Sequence, residues 1–580
     1  MNIFQAYKFF LKNLSVKEKI RLIILTISSL FLSILEFLSI ILIYPFILSL
    51  QNLSGDQTII NDKIEAFRIF LDYDLDGFVK LLFFLIIIFF ILFNILNLIL
   101  LYNFSFFWSK IIGKLTFRVF RYYTEMEYLN LLNINNASIL KDIIFEVKRF
   151  VSMFIAPIST ILNKLFTILI MILGVTYIEP KISLIMFGLL FVYYFSIYKI
   201  LKKIAKQNSQ GLSAQFQKVI KSVDETINNF TFFKISNLLR QQSEKLFQSS
   251  SKLNRLEAKN DIIAILPKYI LEIIFFVFGM ILIFYLFGEN LFFIYLAKIA
   301  LIFIVFIKIA PSFQLVYSLF ISVKGHYTSA GTLQKPLNYV SSLENLNQKE
   351  IININNLDKA YEINVQNLSF RYANNKNNLF ENFSYKFKKD KIYAIKGESG
   401  IGKSTLMNIL SGLIENYKGD IYFNSKNLRN IDKLNWYNKI SIVPQNVFIN
   451  EDTLLNNVIL DEEKQTIKTE IDKANYAILK SGLKNFVEKL ENGTNTLIKN
   501  NAKLISGGEK QRLAIARAIY KSSDILFFDE PVNNLDTENI NKFKETLNEI
   551  KKDKIIIIIA HQKELYSFCD EIIYIGEKIT

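Results

Sequence analysis

Gly397-Glu398-Ser399-Gly400-Ile401-Gly402-Lys403-Ser404-Thr405 follows the apolar run 392–396 and fits the spacing G-x-x-x-x-G-K-[ST]. A strand that turns through glycines into a helix lets successive backbone N–H groups curl around an anion. The helix adds the positive end of its dipole. The spacing predicts a phosphate-binding loop, with Lys403 neutralising the β- and γ-phosphates of a nucleotide and the Ser404 hydroxyl ligating Mg²⁺. Around it, short apolar strands at 440–443, 525–528 and 555–560 alternate with amphipathic helices. That pattern is an α/β domain with a largely parallel sheet.

Asp529 and Glu530 end the strand 525–528. Alone, an acidic pair there is a solvated strand end, but its place after a phosphate loop reverses that reading. Asp529 is expected to hold the Mg²⁺ shell and Glu530 to polarise an attacking water. Ile505-Ser506-Gly507-Gly508-Glu509-Lys510-Gln511-Arg512 opens a helix, as a second anion site or as a simple N-cap.

The order of phosphate loop, Gln445, Ser506-Gly507-Gly508, Asp529-Glu530, Asp536 and His561 resembles the nucleotide-binding domain of ABC transporters, over about 362–580. The resemblance implies ATP and Mg²⁺ as cofactors. It makes Tyr372 similar to the aromatic that stacks on adenine and Gln445 to the glutamine that touches Mg²⁺ and the coupling arms. Asp536 matches the acidic residue after the catalytic strand, and His561 the switch histidine at the γ-phosphate. Ser506 and Gly508 would close over ATP held by the phosphate loop of a second copy. One such domain per chain then implies a half-transporter working as a homodimer with two equivalent ATP sites. Three departures stand out: Glu509 where Gln is commoner, Asn533-Asn534-Leu535 before Asp536, and a stretch 498–504 without the usual glycine-containing pattern. The last leaves the details of coupling open.

The rest of the chain is apolar. Of 580 residues, 51% are hydrophobic and 21% charged, which excludes a disordered protein. The balance of 68 Lys+Arg against 52 Asp+Glu gives +16, which suits nucleic acid or the basic cytoplasmic loops of a membrane protein. The apolar runs decide for the membrane, and no nucleic-acid partner is expected. One cysteine, Cys569, and two histidines, His326 and His561, exclude a disulfide framework and a His- or Cys-rich metal centre.

Six spans are expected at about 22–50, 81–109, 151–178, 182–201, 269–288 and 291–323, each near or above the ~20 residues that cross a bilayer core. No removable signal peptide is expected, the basic N-terminal residues leading into the first span. The acidic loop 51–79 contrasts with the basic stretches 110–150 and 199–260, so both termini are expected in the cytoplasm of a bacterial inner membrane. Those basic stretches keep helical periodicity and are expected as cytoplasmic arms turning near 129–137 and 224–237. The polar, Asn-rich stretch 331–361 reads as a linker. The expected fold is thus a six-helix membrane domain (1–330) followed by an α/β P-loop nucleotide-binding domain of ABC type (362–580).

Ionisable residues inside spans are costly and face a cavity or a partner. Lys308 suits an anionic headgroup. Lys268 does so too, or forms an ion pair with Glu272 one helical turn on. Glu36 pairs with a lysine across the bundle or lines the pathway, while Lys298 and Lys164 reach an interface. Segments 33–47, 226–236 and 267–272 resemble the lipid-linked oligosaccharide flippase of bacterial protein N-glycosylation. That implies a polyprenyl-diphosphate-linked glycan moved from the inner to the outer leaflet. The alternatives are an exporter of drugs, lipid A-type lipids or peptides, and, from another class, an ATP-gated channel or regulatory membrane ATPase.

Overall fold

The computed structural model describes residues 1–53, 62–178, 180–288, 292–346, 361–372, 377–498, 505–532 and 537–575. The chain divides into two compact units: Met1–Met126 with Asn130–Asn347, and Glu127–Leu129 with Gln348–Thr580.

The first unit is helical. Its N-terminal residues form a separate helix, Ile3–Lys12, rather than a lead-in to the first span. The reason is local: Asn2 with Gln5 and Ser15 with Glu18 each build a reciprocal capping box, so two helices start within fifteen residues. The expected first span is itself split into Val16–Ile41 and Ile43–Leu53. Pro45 explains the break, because its ring crowds the carbonyl four residues back and it has no N–H to donate.

Helices Leu75–Thr124 and Leu239–Gly288 have 50 residues each and Pro180–Asn228 has 49. At 1.5 Å per residue each is about 75 Å long, more than twice a hydrocarbon core of about 30 Å. Short helices at Tyr128–Leu132, Asn136–Leu140 and Phe230–Ile235 occupy the expected turns of the arms. The return after 140 passes through two π-helical stretches, Lys141–Glu146 and Arg149–Ile155, before the helix Ala156–Ile178. Glu146 and Arg149, both almost wholly buried, pair at 3.6 Å there, and Ser213 donates to Glu146 Oε1 at 2.6 Å.

Five helical segments among the described residues are long and apolar enough to cross a membrane: Val16–Leu53, Leu75–Thr124, Asn136–Ile178, Leu239–Tyr285 and Ala297–His326. The expected fourth span, 182–201, falls on Pro180–Asn228; the side chains of 181–187 lie outside the described residues, as do Glu179, Glu289 and Asn290 in the expected turns. Large apolar side chains such as Phe84, Leu98, Phe276 and Phe284 are exposed along these helices, as lipid-facing surface requires.

The linker expected at 331–361 needs correction at its start. Ser329–Leu346 is a helix, and Ala330, Leu333, Leu337 and Val340 bury one face of it in the core of the first unit. Residues 347–360 lie outside the described residues.

The second unit holds two main sheets. An antiparallel one runs in the order Phe380–Lys388, Glu362–Phe370, Lys418–Phe423, Lys426–Asn427. A parallel one runs Glu571–Tyr574, Lys391–Lys396, Ile555–Ile559, Ile525–Asp529, Ile440–Val443. All five isoleucines of Ile555–Ile559 are fully buried, because a central parallel strand is covered on both faces. Alternate residues feed two cores: Ile557 and Ile559 join Phe527 and Tyr393 on one side, Ile556 and Ile558 join Phe528 and Leu526 on the other.

Candidate nucleotide site

The strand register decides where the chemistry gathers. Ile559 lies beside both Ile395 and Asp529, and Val443 beside Phe528. The strands therefore end level, and the segments carrying Gly397, Gln445, Glu530 and His561 leave the sheet at one carboxyl edge, where open α/β sheets bind ligands.

The phosphate loop needs its glycines. Gly402 has φ +109°, and a Cβ there would stand 2.6 Å from Leu379 Cδ2 and 3.0 Å from the Phe380 ring. Helix Lys403–Leu410 starts at once. The Lys403 side chain is buried, and its ammonium donates to the Gly397 and Glu398 carbonyls at 3.0 and 2.9 Å. A phosphate in the loop offers that ammonium charged acceptors, which bind it more strongly than two carbonyls. Ser399, Gly400 and Ile401 complete the loop, with Ile401 packed against the core beneath. Thr405 Oγ1 lies 2.8 Å from the Tyr372 hydroxyl, and the Tyr372 ring meets Phe370 edge-on. Tyr372 is thus fastened to the helix that follows the loop, a contact that sequence spacing does not announce.

The carboxylates converge on the same edge. Ser404 Oγ donates to Asp529 Oδ1 at 3.4 Å. Burial raises the Asp529 carboxyl above its ordinary range; the Ser404 hydrogen bond opposes this and the neighbouring Glu530 charge adds to it. Glu530 has φ +52°, a conformation that β-strand ends avoid and that clusters at functional sites. Its Oε2 accepts from Gln445 Nε2 at 2.6 Å, and its Oε1 is 3.0 Å from His561 Nε2. Three residues expected separately from sequence therefore meet at one carboxylate.

Ser506 caps the helix Gly507–Lys521, of which Gly507 and Gly508 are the first two residues. Its N–H and hydroxyl both donate to Glu509 Oε2, at 2.7 and 2.8 Å, and it accepts from the Glu509 N–H at 3.3 Å. The Glu509 departure is thus a reciprocal capping box. Asp536 and the Asn533-Asn534-Leu535 and 499–504 segments lie outside the described residues.

In the first unit, Lys308 Nζ lies 3.8 Å from Glu36 Oε1 and 5.5 Å from the Phe90 ring centroid. Lys268 Nζ lies 3.6 Å from Glu272 Oε1. Of the alternatives for Glu36 and Lys268, ion pairing is the arrangement observed.

Residues 380–533 match the family model described as ABC transporter. Curated relatives include ATP-dependent lipid A-core flippases of Photorhabdus laumondii (34% identical over 200 residues, 34% of this chain and 33% of that one) and Wigglesworthia glossinidia brevipalpis (37% over 169 residues, 29% of each). That of Escherichia coli K12 is 32% identical over 201 residues, 34% of each chain. The chain spans about a third of the length of these relatives. A bacterial Atm1-family ABC exporter solved with ATP bound superposes at a TM-score of 0.71 over 96% of this chain and 93% of its own, at 15% identity. Residues 380–533 thus match the ABC transporter family model, and the chain as a whole shares the fold of that exporter.

Proposed function

We propose that the chain is an ATP-driven exporter of an anionic lipid, working as a homodimer in a bacterial inner membrane with both termini cytoplasmic. The observation that carries it is the Glu530 carboxylate held between Gln445 and His561 beside the phosphate loop. That is an arrangement for orienting a water against a γ-phosphate. ATP would lie along the loop 397–405 with Tyr372 at its base. Ser404, Asp529 and Gln445 offer the hard oxygens that Mg²⁺ takes, and a buried carboxyl raised by desolvation and by a second carboxylate is the setting a cation relieves. Those three residues would hold the Mg²⁺, which would supply positive charge against the phosphates. Glu530 would accept the proton of the attacking water, while His561 steadies that carboxylate and reaches the γ-phosphate.

ATP binding favours one conformation of a dimer because Ser506 and Gly508 of each copy then close over the nucleotide of the other. A ligand shifts an equilibrium only through such differential binding. Hydrolysis removes the preference and resets the spans.

For cargo, Lys308 is the cation nearest the middle of the largely apolar helix Phe292–His326, which suits a phosphate-bearing headgroup. A polyprenyl-diphosphate-linked oligosaccharide fits the narrower sequence resemblance. A lipid A-type lipid is the second reading, favoured by the naming of the curated relatives. The test is ATP-driven translocation in proteoliposomes carrying one or the other lipid, with Glu530→Gln as control. Movement of either cargo by the wild type alone supports the exporter and selects between the two lipids. Steady ATPase activity without movement of any lipid would overturn the reading in favour of an ATP-gated channel or regulatory ATPase.

A further inference from the structure

The backbone just before His561 is held from two directions. The Glu530 N–H donates to the Ile559 carbonyl at 3.0 Å. From the other side, the Tyr566 hydroxyl donates to the carbonyl of Ala560, the residue next to His561. Tyr566 ends the helix Lys563–Tyr566, so that one turn of chain folds back onto the strand end it has just left.

The same tyrosine reaches the phosphate loop. The Lys396 ammonium lies 5.3 Å from the centroid of the Tyr566 ring and 4.9 Å from that of Tyr574. A lysine at a strand end is ordinarily solvated, and two aromatic faces hold this one in place. Lys396 is the residue before Gly397, and its carbonyl accepts from the Ile575 N–H at 2.9 Å. Gly397 then passes so near that a Cβ would stand 2.8 Å from the Ile575 carbonyl. Two contacts thus join Lys396, the residue before the phosphate loop, to the peptide that carries His561.

We propose that Tyr566 is a positioning residue for His561, acting through the Ala560 carbonyl, and that Lys396 ties this hold to the start of the phosphate loop. The inference rests on the ATPase reading above and adds residues outside its nucleotide motifs. Neither side chain is assigned to ATP or to the reacting water. The 3.0 Å approach of His561 to Glu530 depends on where the 560–561 peptide points, and the tyrosine hydroxyl fixes that.

Tyr566→Phe deletes only the hydroxyl and keeps both the ring and its contact with Lys396. In the full-length chain it should lower kcat for ATP about fivefold, the factor that one ordinary hydrogen bond corresponds to. KM should move less than kcat. In a His561→Ala background, single-turnover phosphate release should show no further loss, because residues that act through one another are not additive. Lys396→Gln, which removes the cation and spares the tyrosine, should show the same dependence on His561. A tyrosine that served only stability would lower the unfolding temperature and bring its full factor in both backgrounds. Unchanged kcat in Tyr566→Phe, or an additive loss on top of His561→Ala, overturns the inference alone. A wild type without ATPase activity overturns the parent reading along with it.

Discussion

Glu530→Gln isolates the chemistry from the architecture. The wild-type carboxylate uses both oxygens, one for the Gln445 amide at 2.6 Å and one 3.0 Å from His561 Nε2. A glutamine side chain has the same shape, but it offers one oxygen and an NH₂ group, so one of the two contacts loses its acceptor oxygen. More important, it has no basic oxygen to take a proton from water. A positioned general base contributes about 10²–10⁴ in rate. At 1.36 kcal/mol per decade that is about 3–5 kcal/mol of barrier. Phosphate release at saturating Mg-ATP should fall by that factor. Nucleotide affinity should keep its order of magnitude, because Lys403 and the loop amides are untouched, and ATP-bound dimers should accumulate. Hydrolysis within about tenfold of wild type would falsify the base assignment. Loss of nucleotide binding with the fold intact would show instead that Glu530 serves the shape of the site.

The remaining expectations concern separate parts of the molecule. Lys308→Gln should abolish stimulation of hydrolysis by the anionic lipid, and retained stimulation moves the headgroup site elsewhere. Gly402→Ala must accept both φ +109° and a Cβ 2.6 Å from Leu379, so ATP affinity should fall by at least about tenfold; a normal affinity refutes the loop geometry. The Lys391 and Tyr385 hydrogen bonds hold Glu571 below the ordinary glutamate range. A depressed carboxyl gives stability that is present above its unfolded pKa and lost as pH falls through its folded one. The unfolding temperature should therefore decline below about pH 4, and Glu571→Gln should flatten that decline. Burial, with the Asp570 charge adding, pushes the Cys569 thiol up to about 12. Iodoacetamide at about pH 8 should then label it only after denaturation, and labelling of the folded chain at a free-thiol rate counts against that burial.

What was legible in sequence was what repeats locally. The isoleucine run 555–559 announced itself because a doubly covered parallel strand is apolar throughout. The phosphate loop was legible because its glycine spacing serves backbone geometry. The helix Ser329–Leu346 was not: Asn, Ser, Gln and Lys on its exposed side, and Pro336 within it, masked four apolar residues spaced three or four apart. The split at Leu42 hid for the opposite reason, since Pro45 is one residue in an unbroken apolar run. The antiparallel sheet beginning at Glu362 has polar alternation and a strand of only two residues, Lys426–Asn427, too short for a periodic signal. In the candidate site, the residue types could be named in advance. That Gln445 and His561 both close on Glu530 depends on strand register across more than a hundred residues, which no local pattern encodes.

On the proposed reading, in which Lys308 meets the headgroup, its pairing with Glu36 bears on how tightly cargo would be gripped. A lysine with its counter-ion built in is no bare magnet for phosphate. An arriving headgroup has to win the ammonium from a carboxylate already close at hand, and when it departs the carboxylate takes the ammonium back. Affinity at that lysine would therefore be the difference between two attractions, smaller than either alone. Weak retention of this kind favours turnover, because a passenger that must leave on the far side is hindered by every contact that holds it too well. Removing Glu36 would then turn a place of passage into a place of storage.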